Sequence, residues 1–378
     1  MLNYKYFYSF VLFFVYFVKK SRKKVHHKTN ITDIAEKTGY SITTVSRVLN
    51  GQSEKYRISI STQEKIKAIA EELNYTPNEL ARNLRTGKSQ TIALIVPSLK
   101  NPFFSEIASV INLEARKSQY ITLIGDSDDD ILIEKDEVKQ LSSRNIDGMI
   151  IVPCGNEYDH LLNVKERGTP IICIDRYFNN QEISYVSSDN YDGAYTATQY
   201  LIGQGHTHIA CIQGVKYSLP NIERVKGFKD AMNDSRLTTY TVTGDDFSEQ
   251  NGYLETKLLL QSSNRPTAIF GFSNTITMGA LRALKEENIL IPDEISLLTF
   301  DDNPYLDYIE PPLTRISQPI EEICKIAVKL LISRIQEKEL IAKKVLLKTR
   351  LIVKDSVRNM NNNELSNLLE TKNQNKLR

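Results

Sequence analysis

Seven near-continuous apolar runs recur between Thr91 and Phe300, and they constrain the fold more than any other feature of the chain. They are Thr91–Pro97, Tyr120–Gly125, Gly148–Pro153, Pro170–Asp175, His208–Gln213, Thr267–Phe272 and Ile295–Phe300. A strand inside a parallel sheet is covered on both faces, so it reads as an unbroken apolar run rather than an alternation. Segments with helical spacing lie between these runs, at Phe103–Ser118, Glu134–Arg144, Asp192–Gln204, Asn221–Asn233, Tyr253–Ser262 and Thr275–Asn288. Strand–helix alternation of this kind predicts an α/β body over residues 91–355, with parallel sheets and helices on both faces. Its length exceeds what one hydrophobic core usually fills, so two lobes are expected.

A different module precedes the body. The net charge of the whole chain is only 48 − 46 = +2. From Lys19 to Gln90, however, 15 Lys/Arg stand against 7 Asp/Glu, a local net of +8. A basic head on a mildly acidic body is the electrostatic footprint of polyanion binding. Within it, Ile31–Lys37 reads as a short helix, Thr38–Tyr40 as a turn and Ser41–Asn50 as a second helix. Gly39 can take the positive φ such a turn needs, and Ser41 is a suitable N-cap. Ile34, Ala35, Val45, Val48 and Leu49 form an inner face, while Ile42, Thr43, Thr44, Ser46 and Arg47 point the other way. Short hydroxyls and one guanidinium are what a helix needs to touch phosphates and read a guanine in the major groove. A third helix over Thr62–Leu73 closes an all-α, helix-turn-helix head assigned to residues 28–77.

The run Thr32–Gly51 (TDIAEKTGYSITTVSRVLNG) with Leu73–Leu84 (LNYTPNELARNL) resembles the lactose-repressor/galactose-repressor (LacI/GalR) family of bacterial transcription regulators. The resemblance implies that Ile42, Thr43 and Arg47 read bases; Thr44, Ser46 and Asn50 on the same helix are carried as further DNA-binding candidates. It also implies a hinge over residues 78–90, in which Asn78 caps a short helix, Ala81 sits at a close approach and Leu84 wedges between base pairs. Gly51–Ser61 is about three residues longer than the family's usual loop. Lys55, Tyr56 and Arg57 in it are candidate phosphate contacts or a solvated loop, and Tyr56 is carried as a DNA-binding candidate.

Ligands of α/β folds bind beyond the carboxyl ends of strands. Those positions here hold Asn101, Phe103 and Phe104, then Asp175 and Arg176, Asn274, Asp301 and Gln318, with Arg224 at a helix start. Carboxylates, amides and arginines serve vicinal hydroxyls, and aromatic faces take the C–H side of a sugar ring. The body resembles the periplasmic sugar-binding proteins over nearly all of Thr91–Asp355, nearest to the ribose-binding type. That resemblance implies these nine residues as the effector site, with Thr275 replacing the family's usual Asp. Asp126 and Asp189 are second-rank candidates.

The expected partners are operator DNA, a small sugar such as ribose or a related pentose, and a second copy of the chain, in a homodimer or a tetramer. No cofactor, no metal site and no enzymatic activity are expected. P-loop and nucleophile-elbow patterns are missing, and Asp126–Asp130 lacks the Gly and Glu of a calcium loop. Four dispersed cysteines, Cys154, Cys173, Cys211 and Cys324, suit buried sites in a reducing cytoplasm. A same-family regulator answering to a purine or a phosphorylated carrier protein is one alternative. A membrane-tethered or exported sugar receptor is another, because nine aromatic residues crowd the first 18 positions. That stretch is too short to span a bilayer and runs into Lys19–Lys24 without a cleavage site. Residues 1–24 are therefore expected to be a mis-assigned start or a disordered extension, and the polar tail, assigned to residues 356–378, is expected to be disordered or a frayed helix from Arg358 on.

Overall fold

A computed structural model describes residues 29–75, 87–179, 182–337 and 342–361. The chain divides into two compact units, Met1–Gly87 and Lys88–Arg378. The amino-terminal patch, the hinge candidates Asn78, Ala81 and Leu84, and most of the tail lie outside the described residues.

Among the described residues, the first unit holds three helices, α1 (Ile31–Thr38), α2 (Ile42–Leu49) and α3 (Ile60–Glu72). Asn30 starts α1 with a capping box: its side chain accepts from the amides of Thr32 and Asp33, and Asp33 accepts from the Asn30 amide. Gly39 ends it at φ 75°, donating its amide to Ala35 O. That left-handed step turns the chain within two residues, so Ser41 can cap α2 by accepting from Thr44 N. Ile34, Ala35, Val45, Val48, Ile66 and Ala70 form the core. Helix α3 begins two residues before the expected Thr62, because Ser59 supplies its cap.

The second unit contains two six-stranded sheets. In strand order along the chain, β1 (Thr91–Val96), β2 (Ile121–Asp126), β3 (Gly148–Ile151), β4 (Ile171–Ile174), β5 (Ser184–Ser188) and β11 (Lys344–Leu347) form one. The other contains β6 (Ile209–Ile212), β7 (Tyr240–Thr243), β8 (Ala268–Gly271), β9 (Ser296–Phe300), β10 (Thr314–Ser317) and β12 (Arg350–Ile352). Alternate residues of β1 serve opposite faces. Ile92, Leu94 and Val96 pack under α4 (Pro102–Lys117) and α11 (Ile320–Glu337), whereas Ala93 and Ile95 pack with Val138 and Leu141 of α5 (Ile131–Ser142). Two covered faces are the reason the strand reads as one apolar run. The remaining helices are α6 (Asp159–Glu166), α7 (Asn190–Gly203), α8 (Leu219–Asp234), α9 (Glu249–Gln261) and α10 (Asn274–Glu286).

The expectation of purely parallel sheets needs one correction: β12 runs antiparallel to β10. Leu347 pairs with Ser188 at the carboxyl end of β5, and Arg350 pairs with Ser317 at the carboxyl end of β10. With only Lys348 and Thr349 between them, the chain must enter the second sheet from that end and run backwards along it. The chain passes between the sheets three times, after β5, after β10 and after β11. Helices α9 and α10 meet at glycines. A Cβ at Gly252 would lie 1.9 Å from Ile276 O, and one at Gly279 would lie 1.9 Å from Glu249 O.

Candidate functional site

The carboxyl ends of both sheets converge on one cavity. It is lined by Asn101, Phe103, Phe104, Asp175, Arg176, Arg224, Asp301 and Gln318, together with Ser218, Pro220, Phe247 and Ser273. Eight of the nine effector candidates therefore meet in one place.

The two carboxylates share an unusual backbone. Asp175 follows β4 with φ 58°, and Asp301 follows β9 with φ 79°. The left-handed region is costly for a residue with a Cβ, and such residues persist mainly where surroundings over-determine them. Both side chains are thereby turned away from the strand direction and buried. Burial raises the Asp175 pKa from 3.8 to about 6; Arg224 and Arg176 pull the other way, and Asp301 adds repulsion. Asp301 is also raised by burial, against the pull of Arg224 and of hydrogen bonds from Gln318 and the Asn274 amide. Gln318 Nε2 donates to Asp301 Oδ1 at 2.6 Å, and its Oε1 accepts from Ser188 at 2.6 Å. Asp175 Oδ1 and Ser218 Oγ, by contrast, are buried without a partner among the described residues. A buried carboxylate oxygen left unpaired is expensive, and a ligand hydroxyl would satisfy it.

Each arginine is fixed by its surroundings. Arg224 lies flat on Phe300, 3.7 Å from the ring centroid, while Nε donates to Asn190 Oδ1 at 2.8 Å and Nη1 donates to Phe272 O. Arg176 forms a bidentate pair with Asp129, at 2.5 and 3.0 Å, between the rings of Phe104 and Phe247. Burial opposes the Arg176 charge, yet Asp129 beside it raises the guanidinium's pKa overall. Asn101 caps α4 by accepting from Phe103 N, which sets Phe103 and Phe104 edge-to-face at 5.2 Å over the cavity.

Asn274 does not line the cavity. Its Oδ1 accepts from Thr275 N, its Nδ2 donates to Tyr305 at 3.4 Å, and its own amide donates to Asp301 Oδ2 at 3.2 Å. It supports Asp301 from behind. Asp126 and Asp189 likewise hold local structure: Asp126 accepts from the amides of Leu99 and Asp128, and Asp189 caps α7. Sequence reading missed Phe247, Ser218, Asn190 and Asp129. Asp129 belonged to an acidic run weighed only as a calcium loop, and Phe247 follows a strand that the sequence did not reveal.

The head presents its own surface. Ile42 is 48% exposed and Thr43 is exposed beside it. The Thr44 hydroxyl lies 2.9 Å from the Ser41 hydroxyl at the cap, and Asn50 Nδ2 donates to Ser46 O at 2.6 Å and lies 3.2 Å from Ser46 Oγ. Arg47 stacks on Tyr56, its guanidinium carbon 3.7 Å from the ring centroid.

Residues 30–78 match the model of bacterial regulatory proteins of the lacI family, and residues 198–357 match that of a periplasmic binding protein-like domain. The HTH-type transcriptional repressor PurR of Aliivibrio fischeri is 31% identical over 82% of this chain and 92% of its own length. The ribose operon repressor of Haemophilus influenzae is 31% identical over 86% and 97%. Among solved structures, a lac repressor dimer bound to operator and an anti-inducer aligns with TM-score 0.78 at 25% identity, over 87% of this chain and 99% of that one. A LacI family regulator from Enterococcus faecium with bound ribose aligns with TM-score 0.66 at 30% identity, over 71% and 99%. A helix-turn-helix head followed by a two-lobed α/β body, matched along most of its length, makes this chain a member of the lacI family of DNA-binding transcriptional regulators.

Proposed function

We propose that the chain represses a sugar-utilisation operon and that ribose or a closely related pentose, bound in the cavity, weakens its hold on the operator. The observation that carries this reading is the convergence of Asp175, Asp301 and Gln318, at the ends of strands from both sheets, with Arg224 of α8. A furanose or pyranose offers several hydroxyl donors on adjacent carbons, and two buried carboxylates accept them. A purine offers fewer donors, so the paired acids favour a polyol over a base. The ribose operon repressor of Haemophilus influenzae and the ribose-bound regulator of Enterococcus faecium support the same class. On the DNA side, Ile42, Thr43 and Arg47 would read bases, Thr44, Ser46 and Asn50 would border the phosphates, and Tyr56 would stand beside Arg47. Asn78, Ala81 and Leu84 would form the hinge, and the active species would be a homodimer in the cytoplasm. Among the described residues no helix is long and apolar enough to cross a membrane.

The coupling is thermodynamic. A sugar contacts both lobes, so it favours the lobe arrangement in which those contacts close. Operator affinity then changes by the same factor as sugar affinity changes on DNA, typically about 1–3 kcal/mol. The test is calorimetric titration with pentoses, hexoses and purines, combined with footprinting on the gene's upstream DNA. Micromolar pentose binding that shifts the footprint is the expected result. Binding of purines alone, or of no sugar, would overturn the effector assignment while leaving the DNA assignment to the footprint.

A further inference from the structure

Tyr56 is placed oddly for a large side chain. The head's core draws in Tyr40 and Tyr75, but Tyr56 does not belong to that cluster and is 41% exposed. Its loop is nevertheless well determined. The amides of Tyr56, Arg57 and Ile58 donate to Gln52 O (3.2 Å), Glu54 O (3.1 Å) and Ser53 O (2.9 Å), with Ser53 buried beneath. The loop turns back at Arg57, φ 52°. The backbone that carries the ring is held by these bonds.

What lies on that ring is Arg47. A guanidinium carbon 3.7 Å above the centroid places the ion against the negative face of the ring. The contact uses the face of the guanidinium and leaves its N–H fork in the plane, without a hydrogen-bond partner among the described residues. An ion pair would do the opposite, because a carboxylate takes up the same donors that a guanine O6 and N7 need. Arg47 would otherwise lose the freedom of a long side chain on meeting a base. A platform that orders it beforehand removes part of that loss.

We infer that Tyr56 is a positioning residue for Arg47, so that the loop Gln52–Ser59 takes part in reading operator sequence and not only in attracting phosphate. This rests on the proposed reading of Arg47 as the base-contacting side chain. Lys55, whose Nζ lies 5.8 Å from the same ring, and Arg57 supply charge that any duplex would feel. The effect of Tyr56 is confined to duplexes that engage the Arg47 fork.

The experiment compares the full-length wild type with Tyr56→Leu, Tyr56→Phe, Arg47→Ala and the Arg47→Ala/Tyr56→Leu double variant. Fluorescence anisotropy measures each affinity for the footprinted operator and for a scrambled duplex. Tyr56→Leu, which keeps apolar bulk, should weaken operator binding about two- to five-fold, the equivalent of ~0.5–1 kcal/mol for an exposed cation–π contact. It should leave the scrambled duplex unchanged, Tyr56→Phe should bind like wild type, and the loss should vanish in the Arg47→Ala background. Equal weakening on both duplexes, an undiminished loss without Arg47, or a Tyr56→Phe as weak as Tyr56→Leu would each overturn the inference. If Arg47→Ala itself left operator affinity intact, the base-reading role of Arg47 would fall and this inference with it. A weak Arg47→Ala with no coupling to Tyr56 removes the inference alone.

Discussion

The pentose affinity should depend on pH through Asp175. Burial lifts its pKa to about 6, and one of its oxygens has no partner among the described residues. A sugar hydroxyl donates to the ionised carboxylate and gains little from the protonated one. If only the ionised form binds well, the dissociation constant scales as one plus the protonated-to-ionised ratio. With a pKa near 6, that factor rises about ten-fold from about pH 7 to about pH 5. Calorimetric titration of ribose, or of whichever pentose binds best, at half-unit intervals over this range reads the slope directly. The ligand-free protein should show the opposite linkage. A carboxyl whose folded pKa is raised contributes stability below its ordinary value of 3.8, and this is lost as pH rises through about 6. Ligand should therefore raise Tm more at about pH 7 than at about pH 5. Asp175→Asn should bind weakly with a flat profile. A wild-type affinity constant across the range would refute the reasoning. A slope that survives in Asp175→Asn would move the titration to Asp301, whose pKa is raised in the same direction.

Further outcomes follow from the same geometry. Arg47→Ala should weaken specific operator binding by about 1–3 kcal/mol, roughly five- to 150-fold, while calorimetry finds the sugar affinity unchanged; loss of both would indicate misfolding. Gly279→Ala should force α9 and α10 apart, since the new Cβ would fall 1.9 Å from Glu249 O. Overpacking of about 3 kcal/mol, at roughly 2–4 °C per kcal/mol, should lower Tm by about 6–12 °C in a thermal melt. Asp129→Asn should unpin Arg176, costing about 1–2 kcal/mol. That is the low end for charged hydrogen bonds, because the Asp129 side chain is 34% exposed. A Tm and a pentose affinity both equal to wild type would show that the pair does not hold Arg176.

The parts of the fold that the sequence displayed most clearly were those with covered faces. β1, β6 and β9 announce themselves because both sides are buried. β5 was missed because Ser184, Ser187 and Ser188 are buried yet polar, spending their hydroxyls on Lys343, Asp175 and Gln318. β7 and β11 stand at sheet edges with partial burial, where no apolar run is required. Helix α11 follows the last recognised strand and was not sought, although Ile323, Cys324, Ala327, Val328 and Leu331 line its inner side. The site shows the same division. Residues directly after recognised strands were found, and Phe247 was not, because its strand had not been seen. Asn274 is a subtler case: its type fits a sugar contact, but its side chain is drawn to Thr275 and Tyr305, and only coordinates reveal that direction.

The three passages between the sheets have a mechanical consequence. Each joins the carboxyl end of one sheet to the other, and Gln318, on the second passage, is hydrogen-bonded to Ser188, on the first. Two rigid plates tied by one strap can swing and twist in any direction. Tied by three that lie side by side, they keep one soft motion, a rotation about the line of the straps, because shear and twist would stretch at least one of them. Gln318 lies on one of the passages, Asp175 follows a strand of the first sheet and Asp301 a strand of the second. A ligand gripping all three acts on a lever, converting a few hydroxyl contacts into a change of angle rather than a diffuse stiffening. Neither lobe is a continuous stretch of sequence, so truncating the gene cannot isolate one plate from the other.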